Sequence, residues 1–474
     1  MHLNELSLID YVDKIKAKKL SAEEGARYFI DRIKKDERNA VLEVFEKSAL
    51  VRAIEIDKRI KEGKKPGRLA GAPIIIKDNI LYKDHIVSAA SKMLESFVAP
   101  FSATVVEKLL SEDAIILGRS NMDEFSMGGS GEKSAFGPTH NAHRMGYISG
   151  GSSGGSAVAV AAGLCVASLG TDTGGSVRSP ASYNGIFGIK PTYGTVSRSG
   201  VIAYASSLEQ AGPFCKTAED TRLMLDVIRG KDIMDATSID MQKPSRKADI
   251  KKLKIGYVKE VWQHKDKIAD FDKYQKLFDF YKKHGAEIKE ISIKNLDLVL
   301  PAYYIIATAE ATSNLARFDG VKYASAAKYP QSLNDLYKRT RSEFFGKEVK
   351  RRIMLGNFVL SSGFYDAYYG KAKTVQAAIT KEFEKAFEEV DLMLMPIMLS
   401  DAYKIGEKGA KDPVEMYLED IFTITANIIG APALAIPFEK GRNGLPIGFQ
   451  LLAAHFNEEA LFEAAKLFKE GTKC

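Results

Sequence analysis

Apolar residues recur at helical spacing from Leu6 to about Gly63, so the chain is expected to open with a helical segment. Ser21, followed three residues on by Glu24, has the form of a capping box and starts an amphipathic run that reaches Arg32. Lys65–Pro66–Gly67 breaks the pattern. Ala72–Ile80 (APIIIKDNI) is then a β-branched apolar run, which predicts a buried strand ending near Lys77. A helix is expected over Ser102–Leu110, a strand over Ala114–Leu117, and a helix merging into a Gly-rich loop over Ser120–Gly131. Gly150–Gly163 is the densest small-residue stretch: a Gly/Ser loop, then an Ala/Val helix with Gly163 as its stop. A strand at Leu164–Leu169 and a second Gly-rich loop at Thr171–Ser176 follow.

Strands alternating with helices predict an α/β layered domain, and the expectation for the whole chain is one large α/β/α domain around a central mixed sheet. Asp232–Lys252 is polar and aperiodic and reads as a linker or surface excursion. Beyond it the pattern predicts strands at Lys254–Val258, Leu392–Met395 and Ala433–Ile436. Helices are expected at Ile268–His284, Phe344–Tyr369 and Glu458–Phe468. The organisation this implies is a helical N-terminal segment (1–65) packed on one large domain (66–474). Within that domain, a motif-rich core spans about 66–220 and a peripheral region about 232–390.

Composition adds limits rather than a function. The 474 residues are 45% hydrophobic and 27% charged, which suits a globular enzyme and excludes a disordered or fibrous chain. The net charge of +7 is spread over a large surface, and the lysine run Lys61–Lys65 has no interleaved aromatics, so nothing marks a nucleic-acid site. Three cysteines (Cys165, Cys215 and Cys474) and no CxxC leave no disulfide framework and no zinc motif. The first residues lack the apolar core of a signal peptide, and no stretch has 18 uncharged apolar residues. A cytoplasmic protein without membrane contact is the expectation.

The chemistry concentrates in the two Gly/Ser loops, GGSSGGS (Gly150–Ser156) and TDTGGS (Thr171–Ser176). Glycine lets backbone N–H groups approach a ligand closely. A flexible linker is disfavoured because the first loop runs straight into a helix and a strand. A phosphate loop is disfavoured because no Gly-Lys-Ser/Thr follows. Gly151-Ser152-Ser153-Gly154-Gly155 matches a nucleophile elbow centred on Ser153, but that mechanism needs a downstream histidine. Of the seven histidines, only His264, His284 and His455 lie beyond, none in a distinctive setting. A hydroxyl nucleophile then requires another base, and a buried lysine, neutral through desolvation, can serve. Lys77, at the end of its apolar run, is the candidate, although a strand-end lysine commonly reaches solvent. Residue chemistry alone leaves Ser152 and Ser153 unseparated.

GGSSGGSAVAVAAG (Gly150–Gly163), followed by SLGTDTGGSVRSP (Ser168–Pro180), resembles the amidase signature family of Ser-cisSer-Lys hydrolases. The resemblance implies Ser176 as nucleophile, Ser152 on a cis peptide bond as bridge, and Lys77 as base. It also implies an oxyanion hole from the N–H groups of Thr173, Gly174, Gly175 and Ser176. Further segments, among them Ser120–Asn141, Lys190–Phe214, Val349–Tyr369 and Met416–Pro437, resemble the A subunits of glutamyl-tRNA(Gln) amidotransferases. That narrower resemblance implies glutamine hydrolysis, with ammonia passed on to amidate Glu (or Asp) on a mischarged tRNA held by a B subunit, in a heterotrimer with B and C. ATP and Mg²⁺ would serve the partner subunit, and this chain would need no cofactor or metal. The implied glutamine contacts are Arg352 (or Arg351), Asp420, Tyr304 (or Tyr303) and the backbone of Met127, Gly128 and Gly129. A free-standing amidase acting on small amides is the alternative. Departures from the family's commoner wording, such as RSPASYNG and IIGAP, touch no triad position.

Overall fold

The computed structural model describes residues 2–244, 248, 252–263, 265–323, 325–408 and 419–472. Three amphipathic helices open the chain: α1 (Leu8–Lys16), α2 (Ala22–Lys34) and α3 (Glu46–Lys61). Ser21 caps α2, accepting from Glu24 N at 3.0 Å, as the capping-box pattern anticipates. Their apolar faces join the main core rather than forming one of their own. One element departs from the helical reading of this segment. Val41–Val44 is a strand, β1, half-buried and antiparallel to β3 (Ile115–Ser120). Its β-branched ends suit a sheet edge, and four residues are too few for the two periods to be told apart.

The other strands are β2 (Pro73–Lys77), β4 (Ala167–Asp172), β5 (Phe187–Lys190), β6 (Gln210–Cys215), β7 (Lys254–Val258) and β8 (Glu287–Ile291). β9 (Leu392–Pro396), β10 (Ala433–Lys440) and β11 (Pro446–Ala453) complete the set. Among the described residues they form one eleven-stranded mixed sheet in the order β1-β3-β2-β4-β6-β5-β10-β11-β9-β7-β8. β2 lies parallel to both β3 and β4, so every residue of Pro73–Lys77 is buried, which explains its unbroken apolar run.

The helices following α3 are α4 (Thr104–Ser111), α5 (Gly154–Ala161), α6 (Arg178–Asn184), α7 (Ala218–Ile228), α8 (Lys259–Trp262) and α9 (Phe271–Lys283). Then come α10 (Val299–Asn314), α11 (Leu333–Phe344), α12 (Lys347–Leu360), α13 (Lys371–Glu389), α14 (Ile424–Ile428) and α15 (Glu458–Thr472). α5 and α6 pack on each other and on the sheet, as do α7 and α15, giving the layered α/β fold. α5 is apolar apart from Ser156 and is buried from Gly154 to Val160, and Gly163 stops it at φ +66°.

Three expectations shift. Ser120–Gly131 holds only a short 3₁₀ turn, Glu124–Ser126, in place of a helix. The strand anticipated at Leu164–Leu169 starts later, at Ala167, and runs to Asp172. The long helix anticipated over Phe344–Tyr369 is broken: α12 ends at Leu360, and a π turn follows at Asp366–Gly370. Residues 232–244 hold neither helix nor strand; the rest of the proposed excursion lies largely outside the described residues.

Candidate active site

β2 and β4 run parallel and end side by side, and the site lies at their carboxyl ends, where open α/β sheets place their ligands. Lys77 is the last residue of β2 and is 0% exposed. Its Nζ lies 2.8 Å from Ser152 Oγ and 2.9 Å from Thr171 Oγ1. Burial lowers its pKa from 10.5 to about 7, against the opposing pull of the Asp123, Asp172 and Glu209 carboxylates. A neutral amine at this spot has a lone pair to turn toward the Ser152 hydroxyl while its N–H groups point at Thr171. Asn79, two residues along, donates to the same Thr171 Oγ1 at 3.1 Å.

The Gly151–Ser152 peptide bond is cis. A Cβ on Gly151 would overlap the buried Asp123 carboxylate, so glycine is needed there. Ser152 O accepts from Asp123 N at 3.1 Å. Ser153, the elbow candidate, is fully committed elsewhere: its Oγ donates to Thr171 O at 3.0 Å and accepts from Thr171 N at 3.2 Å. It pins the first loop to β4. Ser153 N donates to Ser176 O at 3.2 Å, which sets Ser176 beside the cis dipeptide.

Among the described residues no histidine bonds to these serines. His284 caps α9, its Nδ1 2.8 Å from Phe280 O, and His455 Nε2 lies 2.9 Å from Ile429 O. His264 lies outside the described residues.

Ser176 is 7% exposed, at the end of a loop shaped by Asp172. The Asp172 carboxylate accepts from Gly175 N at 2.8 Å and Val177 N at 3.1 Å, and pairs with the Arg178 guanidinium at 3.0 Å. Burial pushes the Asp172 carboxyl up, but Arg178 and Asn427 outweigh it and hold the group down at about 2. Both partners are wholly buried, so each compensates the other's lost hydration. Arg178 also reaches Thr423 O and Gln450 Oε1, both at 2.8 Å. Thr423 Oγ1 in turn donates to Gly174 O at 2.6 Å. Of the four N–H groups expected to face an oxyanion, that of Gly175 is thus already held by Asp172. Those of Thr173, Gly174 and Ser176 have no acceptor among the described residues. A Cβ on Gly174 would overlap the Tyr303 ring, and one on Gly175 would overlap Thr423.

A polar pocket is lined by Gly128, Gly129, Tyr304, Glu348, Arg352 and Asp420 among others; Lys77, Ser152 and Ser176 do not line it, and it is tied to this loop through Thr423, whose N donates to Asp420 O at 3.0 Å. The structure separates the paired candidates. Arg352 is buried in the pocket wall, whereas Arg351 lies outside it with its side chain 42% exposed, paired to Glu348. Tyr304 faces the pocket, and Tyr303 packs over Gly174 instead. Met127 is buried and does not line the pocket. Arg352 Nε donates to Glu348 Oε1 at 2.9 Å and its Nη1 to Tyr204 OH at 2.6 Å. Its guanidinium also lies 5.5 Å from the centroids of both the Tyr204 and Tyr304 rings. Tyr304 OH donates to Asp420 Oδ2 at 2.8 Å. Burial raises Asp420 to about 7, with Tyr304 and Arg352 pulling the other way.

Sequence reading missed Thr171, Asn79, Tyr204, Glu348, Thr423 and Asn427. Thr171 and Asn79 stand inside quoted motifs, and Glu348 sits four residues before Arg352, a spacing that signals a helical ion pair. Tyr204, Thr423 and Asn427 stand within the quoted segments Lys190–Phe214 and Met416–Pro437, but nothing in their local pattern marks the contacts they make. Among the described residues there is no cluster of three or more potential metal ligands, and no helix is long and apolar enough to cross a membrane.

A buried lysine bonded to a serine on a cis peptide, beside a second serine on a glycine loop, is the apparatus of a serine amidohydrolase with a lysine base. The family model described as Amidase matches residues 24–462, and the chain belongs to this amidase signature family. Along its whole length it is similar to the A subunit of the glutamyl-tRNA(Gln) amidotransferase of Thermoanaerobacter pseudethanolicus: 47% identity over 479 residues, 100% of this chain and 98% of the relative. The A subunit of the Thermotoga maritima glutamyl-tRNA(Gln) amidotransferase has a similar structure, with a TM-score of 0.78 at 35% identity, covering 99% of this chain and 95% of that one. The peptide amidase of Stenotrophomonas maltophilia has a TM-score of 0.82 at 26% identity, covering 99% and 97%.

Proposed function

We propose that this chain is the glutamine-hydrolysing A subunit of a glutamyl-tRNA(Gln) amidotransferase. The observation that carries the reading is the pairing of a base with a matching pocket. Lys77 is held near neutrality against Ser152, and the nucleophile loop is tied through Thr423 to Asp420, which shares a cavity with the Arg352 guanidinium, Glu348 being paired to Arg352 and Glu419 to Lys408. An α-amino acid presents the complementary pair: Arg352 takes the α-carboxylate and Asp420 the α-ammonium. Binding of an ammonium draws Asp420 to its charged form.

The side-chain amide then meets Ser176. Ser176 Oγ attacks the amide carbon as its proton passes to Ser152 and the Ser152 proton to Lys77 Nζ. The oxyanion is met by the free N–H groups of Thr173, Gly174 and Ser176, donors fixed in advance by Asp172 and Thr423. Collapse breaks the C–N bond, the proton returns through Ser152, and ammonia leaves. A glutamyl ester remains on Ser176. Water, deprotonated by the same relay, releases glutamate. The ammonia would be consumed on a partner subunit, which would draw on ATP and Mg²⁺ to amidate a tRNA-borne glutamate, with B and C subunits in the cytoplasm completing the assembly.

The test is glutamine turnover by the chain assembled with B and C subunits, with and without Ser176→Ala. Glutamate release that depends on Ser176 is expected. Poor glutamine turnover alongside rapid hydrolysis of simple amides would instead favour a free-standing amidase, which the likeness to peptide amidase also fits.

A further inference from the structure

Two walls of the glutamine pocket come from distant parts of the chain. One is the loop over residues 123–129, which supplies Gly128 and Gly129; the other is α12, which supplies Glu348 and Arg352. Glu124 joins them. It is buried, with its Oε1 accepting from Ser91 Oγ at 2.5 Å. Its two oxygens accept from Gly346 N at 3.1 and 2.9 Å. Gly346 is the N-cap of α12 and has no side chain with which to cap the helix. A Cβ there would overlap the Glu124 carboxylate, so glycine is what admits it. The site also suits a carboxylate electrostatically, since a helix N-terminus carries partial positive charge.

The next residue fastens the same joint. The Phe125 ring meets those of Phe345 and Phe318 at centroid distances of 5.6 and 5.2 Å. Phe125 and Ser126 are both left-handed, at φ 48° and 62°, although neither is glycine. Two such residues in succession persist only where the surroundings hold them, and they cluster at ligand sites. Here Phe125 N is held by Ala89 O and Ser126 N by Asp123 O, both at 2.9 Å.

We propose that Glu124 is a positioning residue that fixes the spacing between the two pocket walls, and so sets the KM for the amino-acid substrate rather than the rate of acyl transfer. Arg352 lies six residues beyond Gly346, about 9 Å along the helix axis. A tilt of roughly 10° about that joint moves the guanidinium base by about 1.5 Å, enough to weaken a two-point grip on an amino acid. Ser91, Glu124 and Gly346 touch none of the reacting groups, so the relay is left intact.

The inference rests on the glutaminase reading, and its test is chosen to fail separately. Glutaminase kinetics are measured on the assembled enzyme carrying Glu124→Ala, Glu124→Gln or Gly346→Ala. Labelling of Ser176 by a fluorophosphonate is followed in parallel, because it reports the nucleophile without needing the amino-acid pocket. Glu124→Ala is expected to raise KM roughly 10–100-fold, with kcat within about threefold and labelling intact. Glu124→Gln keeps an acceptor oxygen for Gly346 N and Ser91 and should stay within about fivefold of wild type. Gly346→Ala, which displaces the carboxylate while leaving Glu124 in place, should reproduce the KM effect should Glu124→Ala fail to fold. A KM within twofold of wild type in Glu124→Ala or Gly346→Ala, or kcat and labelling lost together, overturns the proposal. A wild type that consumes only a simple amide sinks the glutaminase reading instead, and the joint is then judged by the same criteria on that amide.

Discussion

Replacing Lys77 with methionine should abolish catalysis and at the same time change how stability depends on pH. Lys77 is lowered from 10.5 to about 7 by burial, so holding its ammonium form inside costs on the order of 5 kcal/mol relative to water. Between pH 6 and 9 the unfolded chain keeps this amine protonated, whereas the native chain releases the proton as pH passes 7. The unfolded state therefore binds more protons in that window, and native stability rises with pH by about 3 kcal/mol from this one group. Methionine fills nearly the same volume and carries no proton, so the variant lacks that increment. Lys190, Asp420 and Glu124 also titrate near 7, but they are present in both proteins and cancel in the difference. Denaturant unfolding followed by circular dichroism, at intervals from pH 6 to 9, gives the difference directly. Methionine loses the bonds to Ser152 and Thr171, so the gap between variant and wild type has an offset; its slope with pH is the informative quantity. The wild-type kcat/KM should rise with pH about an apparent pKa near 7, the limb of a base that must be neutral. Parallel stability curves for the two proteins, or a pH–rate profile without that limb, would refute a neutral Lys77.

Two further substitutions probe the pocket and the nucleophile loop. Arg352→Lys gives up the forked contacts to Glu348 and Tyr204 and should raise the glutamine KM by roughly 10–100-fold, whereas the exposed Arg351→Ala should leave it within about twofold in the same steady-state assay. Asp172→Asn strands the wholly buried Arg178 and should cost about 3–5 kcal/mol in urea unfolding, with kcat falling because Gly175 N loses its anchor.

The parts of the site legible in the sequence are those whose signal is local. Ile74–Ile76 reads as a buried strand because a strand flanked by two parallel neighbours must be apolar on both faces, and Lys77 inherits its burial from that position. The Gly/Ser loops are legible because only glycine tolerates the close approach of Asp123 to Gly151, Tyr303 to Gly174 and Thr423 to Gly175. What escaped is non-local. Arg351 and Arg352 are adjacent in sequence and differ only in which side of α12 they occupy, a choice made by packing against Tyr204, 148 residues away. The turn at Glu124–Ser126 stands where the sequence pattern predicts a helix, in a stretch poor in helix formers (SNMDEFSMGGSG); two left-handed residues, held by contacts to Ala89 and Phe345, end any helical run there. β1 was hidden for a related reason: its partner is β3, some 75 residues downstream, and nothing in four residues announces that pairing.

The middle of the sheet is filled from the end of the chain: β10 and β11 stand between β5 and β9. During synthesis β1 to β6 can be complete by Cys215, with Lys77, Ser152 and Ser176 already translated. Thr423 and Asn427, which brace Gly174 and Asp172, emerge only about 200 residues later, a delay of roughly 10–40 s at ordinary elongation rates. For that interval the newborn chain holds its nucleophile without the support that aims it. A ribosome that terminates before that point releases a chain lacking both this brace and Asp420 of the pocket, which should therefore not act as an uncoupled glutaminase draining the amino-acid pool.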